Sequence, residues 1–231
     1  MRKTLLLLLV FFATNVIAQE KKVQLGLHLT PGLYWVSTND INVIPNSSKI
    51  NLSFGVMIDF NFSNNVGLST GLGLKTIGQD YTWNYISGSG NGPSGISYSN
   101  TYIINARYLE LPLMLRIRTN GMNGMRFFGQ LGLSSGYNIS ASTKLTSVNN
   151  TDQTTTNTEN TSTDDIYYLR EAINIGFGIE YKLSESITLL SSINYDSGFT
   201  KMLTSVNSAN DHLNNPEFKA KGTVFSIGIL F

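Results

Sequence analysis

The sequence has no cysteine, so disulfide bonds and thiolate chemistry are both excluded. Beyond its amino-terminal segment, it has no uninterrupted apolar run of about 18 residues, the length that a membrane-spanning helix needs. It also has almost no net charge, +1 from 16 Lys and Arg against 15 Asp and Glu. A near-neutral chain gives no reason to expect a nucleic-acid partner. If this protein crosses a membrane, it must do so with strands.

The amino terminus has the features of a secretory signal peptide. A basic start is followed by an apolar run over residues 5–13 and by small residues that end at Ala18. This order predicts a signal peptide over residues 1–18, cleaved from a mature domain of residues 19–231. A retained anchor helix is the alternative, but polar Thr14 interrupts the apolar run well short of the roughly 20 residues that such a helix needs.

Eight segments of the mature chain alternate apolar and polar residues with the period of two that is typical of β-strands. They run from Val23 to Trp35, Ile50 to Phe62, Val66 to Trp83, Tyr102 to Arg118, Met125 to Ile139, Tyr167 to Leu183, Ser186 to Phe199 and Phe218 to Phe231. No stretch of the mature chain sustains the i, i+3, i+4, i+7 spacing of an amphipathic helix. The sequence therefore predicts an all-β fold.

The connections between these segments alternate in length. Short turns rich in Ser, Asn and Gly lie at 63–65, 119–124 and 184–185, and long loops lie at 36–49, 84–101, 140–166 and 200–217. An even number of strands, with short turns on one side and long loops on the other, is typical of an outer-membrane barrel with both termini in the periplasm. We therefore expect an eight-stranded antiparallel up-and-down transmembrane β-barrel, with short periplasmic turns and long extracellular loops, in the outer membrane of a Gram-negative bacterium.

The stretch YLELPLMLRIR, residues 108–118, shows which face of the strands should meet lipid. Its aliphatic residues alternate with residues that include Glu110, Arg116 and Arg118. A soluble barrel would hold its bulky residues inside, whereas a membrane barrel turns them to lipid and keeps its polar residues in the lumen. Eight strands enclose a space just wide enough for side chains, and the polar faces of the other strands are rich in small residues. We therefore expect the aliphatic face to meet lipid and the three charges to point inward.

Aromatic residues cluster near both ends of the predicted strands. Those near the long loops are Tyr34, Trp35, Tyr81, Trp83, Tyr167, Tyr168, Tyr195 and Phe199, and those near the short turns are Phe60, Phe62, Phe127, Tyr181 and Phe231. Such positions predict the two interfacial girdles of a membrane barrel. A general preference of strands for aromatic residues is the alternative.

Inward-facing charges on different strands predict a polar network that plugs the lumen. Its predicted members are Asp59, Lys75, Glu110, Arg116, Arg126 and Glu180, with Arg170 and Asp196 nearer the loop end. If one hairpin is centred near residue 92, Lys75 and Glu110 lie at matching depths, where opposite charges attract. If the next turn is centred near residue 121, Arg116 faces Arg126, and both need carboxylates from farther round the wall. An unpaired charge is costly in a lumen with little water. For Arg170 and Asp196, a separate pair in a wet lumen is the alternative.

The two histidines do not indicate a metal or catalytic site. His28 lies on a lumen-facing side of its strand, and His212 lies in the last long loop. Two histidines so far apart give little support for a metal site. We therefore expect no enzyme activity, cofactor or bound metal. If the barrel is a hydrolase after all, His28 or His212 would be the natural general base.

The chain resembles the outer-membrane β-barrel family of Bacteroidetes-type bacteria, the porin family or PorT-like proteins. The resemblance depends on RYLELPLMLRIR in mid-chain, the Ala18-Gln19 junction, the glycine-rich alternating strands and the terminal GTVFSIGILF, and it covers essentially the whole mature chain. It implies a fold and a location rather than an activity. The terminal Phe231 implies delivery by the outer-membrane assembly machinery, and the PorT-like name leaves a role in a secretion system open.

We therefore expect a structural or binding role, exerted through the extracellular loops or the barrel wall. The partners that fit are outer-membrane lipid, the assembly machinery and another envelope or secretion protein. Two alternatives stay open. One is an outer-membrane enzyme that acts on lipid or peptide at the loop end, and the other is a narrow channel for small solutes.

Overall fold

The computed structural model describes residues 22–41, 43–46, 48–87, 96–161, 163–164, 166–204 and 217–231, and these residues form ten strands. The strands are β1 (Val23–Ser37), β2 (Val43–Pro45), β3 (Lys49–Asn61), β4 (Val66–Ser87), β5 (Ile96–Arg118), β6 (Met125–Asn149), β7 (Thr155–Asn160), β8 (Leu169–Lys182), β9 (Thr188–Gly198) and β10 (Lys219–Leu230). No helix in the described part of the chain is long and apolar enough to cross a membrane. The predicted signal peptide, residues 1–18, lies outside the described residues.

Eight of the described strands close into an antiparallel ring. Its order is β1, β3, β4, β5, β6, β8, β9 and β10, and β10 pairs with β1. Each ring strand overlaps one of the eight predicted segments, so the predicted eight-stranded up-and-down barrel is confirmed. The closure joins the two ends of the described chain, because Gly26 lies opposite Leu230 and the Phe231 N–H donates to the Leu25 carbonyl at 2.7 Å.

The sequence pattern misses two strands and two extensions at the loop end. β2 pairs with β4, and β7 pairs with β6, within stretches predicted as loops. β5 already begins at Ile96, and β6 continues to Asn149. β2 is only three residues long, Val43-Ile44-Pro45, and the other added residues are mainly Ser, Thr and Asn. Because their outward face lies beyond the apolar band, it needs no aliphatic residues, and the alternation that identifies a lipid-facing strand fades there.

The two faces of the ring differ as the sequence predicts. On β5, the outward side chains of Leu113 and Ile117 are 51% and 58% exposed, whereas the inward Met114 and Arg116 are 7% and 4% exposed. The same division holds on β3, where Phe54 is exposed and Asp59 is buried. The aliphatic side chains therefore form the outer wall, and the charges lie inside.

The interior holds two apolar clusters as well as charges. The smaller cluster, nearer the turn end, consists of Met57, Phe128, Leu190 and Leu230. The larger cluster lies toward the loop end and includes Tyr34, Ile77, Tyr81, Trp83, Tyr102, Ile104, Tyr108 and Phe218. Two of its rings, those of Tyr81 and Phe218, stack with centroids 4.4 Å apart. The barrel mouth beneath the loops is therefore filled by packed aromatic rings.

This larger cluster corrects part of the girdle prediction. Tyr34, Tyr81 and Trp83 are at most 1% exposed and point into the barrel, whereas Tyr195 and Phe199 are exposed as predicted. Nearness to a loop fixes the height of a residue along the barrel but not its face. The alternation from neighbouring residues sets the face, and it turns these three rings inward.

The short turn between β5 and β6 is set by an Asn-Gly pair. Asn123 and Gly124 have φ values of 53° and 78°, the left-handed conformations that a two-residue type I′ hairpin requires. Met122 and Met125 close the turn through two backbone hydrogen bonds of 2.9 and 3.0 Å. This geometry fixes the register of the two strands that carry several lumen charges.

Pro112 stands in the middle of a closed wall, where a strand proline is uncommon. It has no N–H to donate, and the β4–β5 register is interrupted at residues 71–72 and 111–112. Thr70 bridges this gap, because its hydroxyl donates to the Pro112 carbonyl at 2.7 Å. On its other side Pro112 remains paired with Ser134 of β6. A side-chain hydrogen bond therefore partly replaces the missing backbone ladder.

We expect Leu113→Arg to lower the free energy of folding into a bilayer by ~2–4 kcal/mol, the cost of a cation near the midplane on a lipid-facing position. Leu113→Gln should also lower it, whereas Met114→Gln should cost less, because Met114 faces a lumen cavity that hydroxyl and amide side chains help to line. Folding titrations into lipid vesicles measure all three costs. Equal costs at the two positions would contradict the assignment of faces.

Candidate functional site

Four charged side chains form a lower cluster across the turn end of the lumen. Asp59 comes from β3, Arg116 and Arg118 from β5, and Glu180 from β8. The Arg118 guanidinium donates to both carboxylate oxygens of Glu180 at 2.8 and 3.0 Å and to Asp59 at 3.0 Å. Arg116 donates to Asp59 and lies 3.4 Å from Glu180. Two positive and two negative groups, each at most 7% exposed, therefore neutralise one another.

An upper cluster repeats this balance nearer the loop end. The Lys75 ammonium on β4 donates to Glu110 at 2.7 Å and also to Asp196 on β9, which lies on the far side of the ring. Asp196 accepts from Arg170 as well, and the Tyr34 hydroxyl donates to it at 3.2 Å. Asp196 is fully buried, so its charge is stable only because three donors surround it. This cluster is also neutral, with two cations and two carboxylates.

A cavity of about 110 Å³ with a mixed polar and apolar lining lies between the two clusters. Its lining includes Lys75 and Glu110 from above and Arg116 from below, together with short hydroxyl and amide side chains. Several of these already bond to one another, such as Thr30 with Ser226 at 2.9 Å. The cavity has room for several water molecules but not for a metabolite-sized ligand.

The structure brings together most of the predicted network, with changes in register. Lys75 does contact Glu110, but the two residues do not lie at the same depth as predicted. Gly73 is directly opposite Glu110, so Lys75 is offset from it by two residues along β4. The long lysine side chain spans the difference. Arg170 and Asp196 pair as part of the upper cluster rather than separately.

The predicted juxtaposition of Arg116 and Arg126 is wrong. Arg116 lies opposite Gln130, because the turn is centred on the Asn-Gly pair rather than near residue 121. Arg126 is half-buried beside Gly121 at the turn, and its Cα lies opposite that of Glu180. The second guanidinium that contacts Asp59 and Glu180 belongs to Arg118.

Sequence reasoning left Arg118 and Tyr34 out of the network. Arg118 was detectable, because it lies two residues from Arg116 and therefore on the same face. Tyr34 was not, since its hydrogen bond to Asp196 joins strands β1 and β9, which are not neighbours in the ring.

His28 lies in the wall of the central cavity and is half-buried. Its ring packs over Gly55 and Gly73, where a Cβ at Gly55 would come within 2.8 Å of Nε2. No group of three or more His, Cys, Asp or Glu side chains that could hold a metal ion occurs among the described residues. His212, the other histidine, lies outside the described residues.

The ion pairs at the loop end differ from those in the lumen in their exposure. Lys144 lies 2.7 Å from Glu159, and Glu217 lies 2.8 Å from Lys219 and 3.4 Å from Lys201. Lys219, as the hydrogen-bond donor, lowers the pKa of Glu217 below its ordinary value. Exposed pairs of this kind contribute little to stability, so the lumen clusters are the charges on which the fold depends.

We expect Asp59→Asn to lower the free energy of unfolding by about 3–5 kcal/mol, because it leaves two buried guanidinium groups with one carboxylate. Glu159→Gln, which removes an exposed carboxylate from an ion pair, is the matched control and should leave stability unchanged. Denaturant titration of the protein in lipid vesicles compares the two. A wild-type midpoint for Asp59→Asn would show that the lower cluster does not stabilise the barrel.

A sequence-family model described as outer membrane protein beta-barrel domain matches residues 17–204. Among solved structures, the chain is similar to Neisserial surface protein A, with 8% identity and a TM-score of 0.44 over 89% of this chain and 95% of that chain. It is similar to a major outer membrane protein from Thermus thermophilus, with 11% identity and a TM-score of 0.41 over 90% of this chain and 99% of that one. It is also similar to Ail, the attachment invasion locus protein of Yersinia pestis, in complex with the heparin analogue sucrose octasulfate, with 10% identity and a TM-score of 0.35 over 91% and 99%.

These structural likenesses are distant, and none of them bears on what this chain binds. No curated protein matches the chain at a significant level. The family match covers most of the chain and agrees with a closed antiparallel ring whose outer wall is aliphatic. The chain therefore belongs to the outer membrane protein β-barrel domain family, and its place is the outer membrane of a Gram-negative bacterium.

Proposed function

We propose that this protein is a non-enzymatic, closed outer-membrane barrel with a structural or binding role at its loop end and on its wall. The observation that carries the proposal is the pair of neutral ion clusters that cross the lumen, Asp59–Arg116–Arg118–Glu180 below and Lys75–Glu110–Arg170–Asp196 above. Their side chains come from both sides of the ring, so they bridge the lumen instead of lining it.

Closure follows from the cost of separating these charges. A solute that passed along the barrel axis would have to part Lys75 from Asp196 and Arg118 from Glu180. Each separation would leave buried charges without partners, which is expensive in a space with little water. The aromatic cluster that includes Tyr81 and Phe218 fills the mouth above the upper cluster. This packing supports a plugged barrel over the alternative of a narrow channel.

The proposal includes no catalytic activity. Among the described residues, no hydrogen bond joins His28 to a serine or an aspartate, and its ring is enclosed between the two ion clusters. A lipid or peptide substrate at the loop end would meet the aromatic cluster first. These features favour a structural or binding protein over an outer-membrane hydrolase.

The loop end suits a binding role because it is built on sheet rather than on bare loops. β4, β5 and β6 rise beyond the apolar band, and β2 and β7 add to their two sides. The inner face of this extension carries buried rings such as Trp83 and Tyr102, and all six residues of β7 are exposed. The result is a stiff polar platform suited to another envelope or secretion protein. The resemblance of RYLELPLMLRIR to PorT-like proteins supports such a partner.

The orientation that we propose places both termini and the short turns in the periplasm and the β6–β7 hairpin outside the cell. Because the chain has no native cysteine, single-cysteine variants report it cleanly. We expect Thr156→Cys on β7 to react with a membrane-impermeant maleimide on intact cells, and Ser63→Cys in the short turn to react only after lysis. The reverse labelling pattern would show that the barrel has the opposite orientation in the membrane.

We expect the wild-type protein to show no steady conductance in a planar bilayer, because both clusters bridge the lumen. Glu110→Ala and Asp196→Asn should leak, with Asp196→Asn leaking more because it withdraws a carboxylate from two cations at once. Asp152→Asn in an exposed loop is the matched control and should stay closed. A large steady conductance in the wild type would contradict the plugged lumen and favour the alternative of a narrow channel.

A further inference from the structure

The outward face of β5 changes character at Arg107. From Leu109 to Ile117 every outward side chain is aliphatic and exposed. At ~3.3 Å per residue and a tilt of ~40°, this run covers ~20 Å of barrel height, close to the ~25 Å of an apolar band. Arg107 is the next outward residue and is itself exposed. Its guanidinium therefore lies where hydrocarbon gives way to lipid headgroups.

Two tyrosines mark the same boundary on the neighbouring elements. Tyr137 of β6 lies opposite Leu109, the last aliphatic residue before Arg107. Its ring lies 6.3 Å from that of Tyr168, and both side chains are more than half exposed. Tyrosine prefers the headgroup level of a membrane, where its ring is in apolar and its hydroxyl in polar surroundings. The height assigned to Arg107 therefore does not depend on strand counting alone.

Short polar side chains flank Arg107 on both sides. Thr76 of β4 and Ser140 of β6 are its direct neighbours across the two ladders. The β5–β6 register shifts beside Arg107, where Ile139 is the extra residue of a bulge, and Ser140 is exposed. Asn105 is the next outward residue on β5 and is also exposed. Two hydroxyls and an amide thus occupy positions next to Arg107 on the outward face.

The charge of Arg107 is not neutralised within the described part of the chain. Two other cations near the loop end, Lys144 and Lys49, have carboxylate partners at 2.7 and 3.7 Å, whereas no ion pair among the described residues includes Arg107. An exposed cation at the edge of the hydrocarbon, with hydroxyl and amide side chains at neighbouring positions, is complementary to an anionic headgroup.

We propose that Arg107, Thr76, Ser140 and Asn105 bind a phosphate group of a phosphorylated outer-leaflet glycolipid, lipid A. The planar guanidinium offers donors in a fork that fits two phosphate oxygens, and the hydroxyls and the amide can donate to the others. The aliphatic face from Leu109 downward receives the acyl chains. This site lies on the wall, apart from the lumen and the loop platform, and its assignment to the outer leaflet rests on the proposed orientation.

Titration of the purified protein in detergent micelles with lipid A, followed by native mass spectrometry, tests the site. We expect the wild type to bind phosphorylated lipid A roughly tenfold to a hundredfold more tightly than its dephosphorylated form, the range for hydrogen bonds to a charged group. Arg107→Gln should remove this preference. Arg107→Lys should keep part of it, because lysine supplies the charge without the fork.

Two control variants separate a built site from general attraction between charges. Lys144→Gln removes a cation that is already paired, farther from the apolar band on β6. Lys221→Gln removes a cation beside Trp35 on β10, on the other side of the ring. Both should bind lipid A as the wild type does. Equal losses in all three Gln variants, or wild-type binding by Arg107→Gln, would overturn the proposal.

The result in micelles does not depend on the orientation, because a micelle has no sides. The cysteine labelling described above decides the orientation separately. Binding that requires Arg107, combined with an inverted labelling pattern, would remove the outer-leaflet assignment while leaving the phosphate site. The two failures are therefore distinguishable.

Discussion

A strand that crosses hydrocarbon has no water with which to pair its backbone N–H and C=O groups, so each group needs a partner in a neighbouring strand. This requirement closes the ring between β1 and β10. The antiparallel order follows because strands that are consecutive in the chain are neighbours in the ring. It also explains why Pro112 is accompanied by Thr70, whose hydroxyl supplies a hydrogen bond where the ladder is interrupted. Once the ring is closed, every strand has a lipid face and a lumen face, and the side chains divide between them.

The narrow interior is a second constraint on the structure. With eight strands there is room for side chains but little for water, so a charge that points inward must find its opposite there. The lower and upper clusters satisfy this condition with two cations and two carboxylates each. Small residues make the necessary room, as where Gly55 and Gly73 accommodate the ring of His28. The mouth is sealed differently, by aromatic packing around Tyr81.

The sequence predicts the strands and their faces because lipid enforces a strict alternation. Beyond the lipid this alternation is no longer required, so β7, made mainly of Thr and Asn, is missed. β2 is missed because three residues are too few to show a period. Lumen charges such as Asp59 are likewise identifiable from their face. The ion-pair partners of these charges cannot be identified in the same way, because they depend on the register between strands. The Asn123-Gly124 turn sets Arg116 opposite Gln130 and not opposite Arg126. Contacts across the ring, such as that between Tyr34 and Asp196, depend on the closed shape of the whole barrel, and no local pattern carries that information.

The charges in the lumen also constrain the order of assembly. Lys75 and Asp196 are 121 positions apart in the chain, and Arg118 and Glu180 are 62 apart. Neither cluster can be completed until distant strands have met, and the ring itself waits for β10. Before that point the chain exposes an open edge together with unpaired charges, so a partial barrel is unstable in the bilayer. A strand inserted one residue out of register would turn its charges to lipid. The lumen charges therefore favour the correctly closed ring, because only that ring pairs each of them with its opposite.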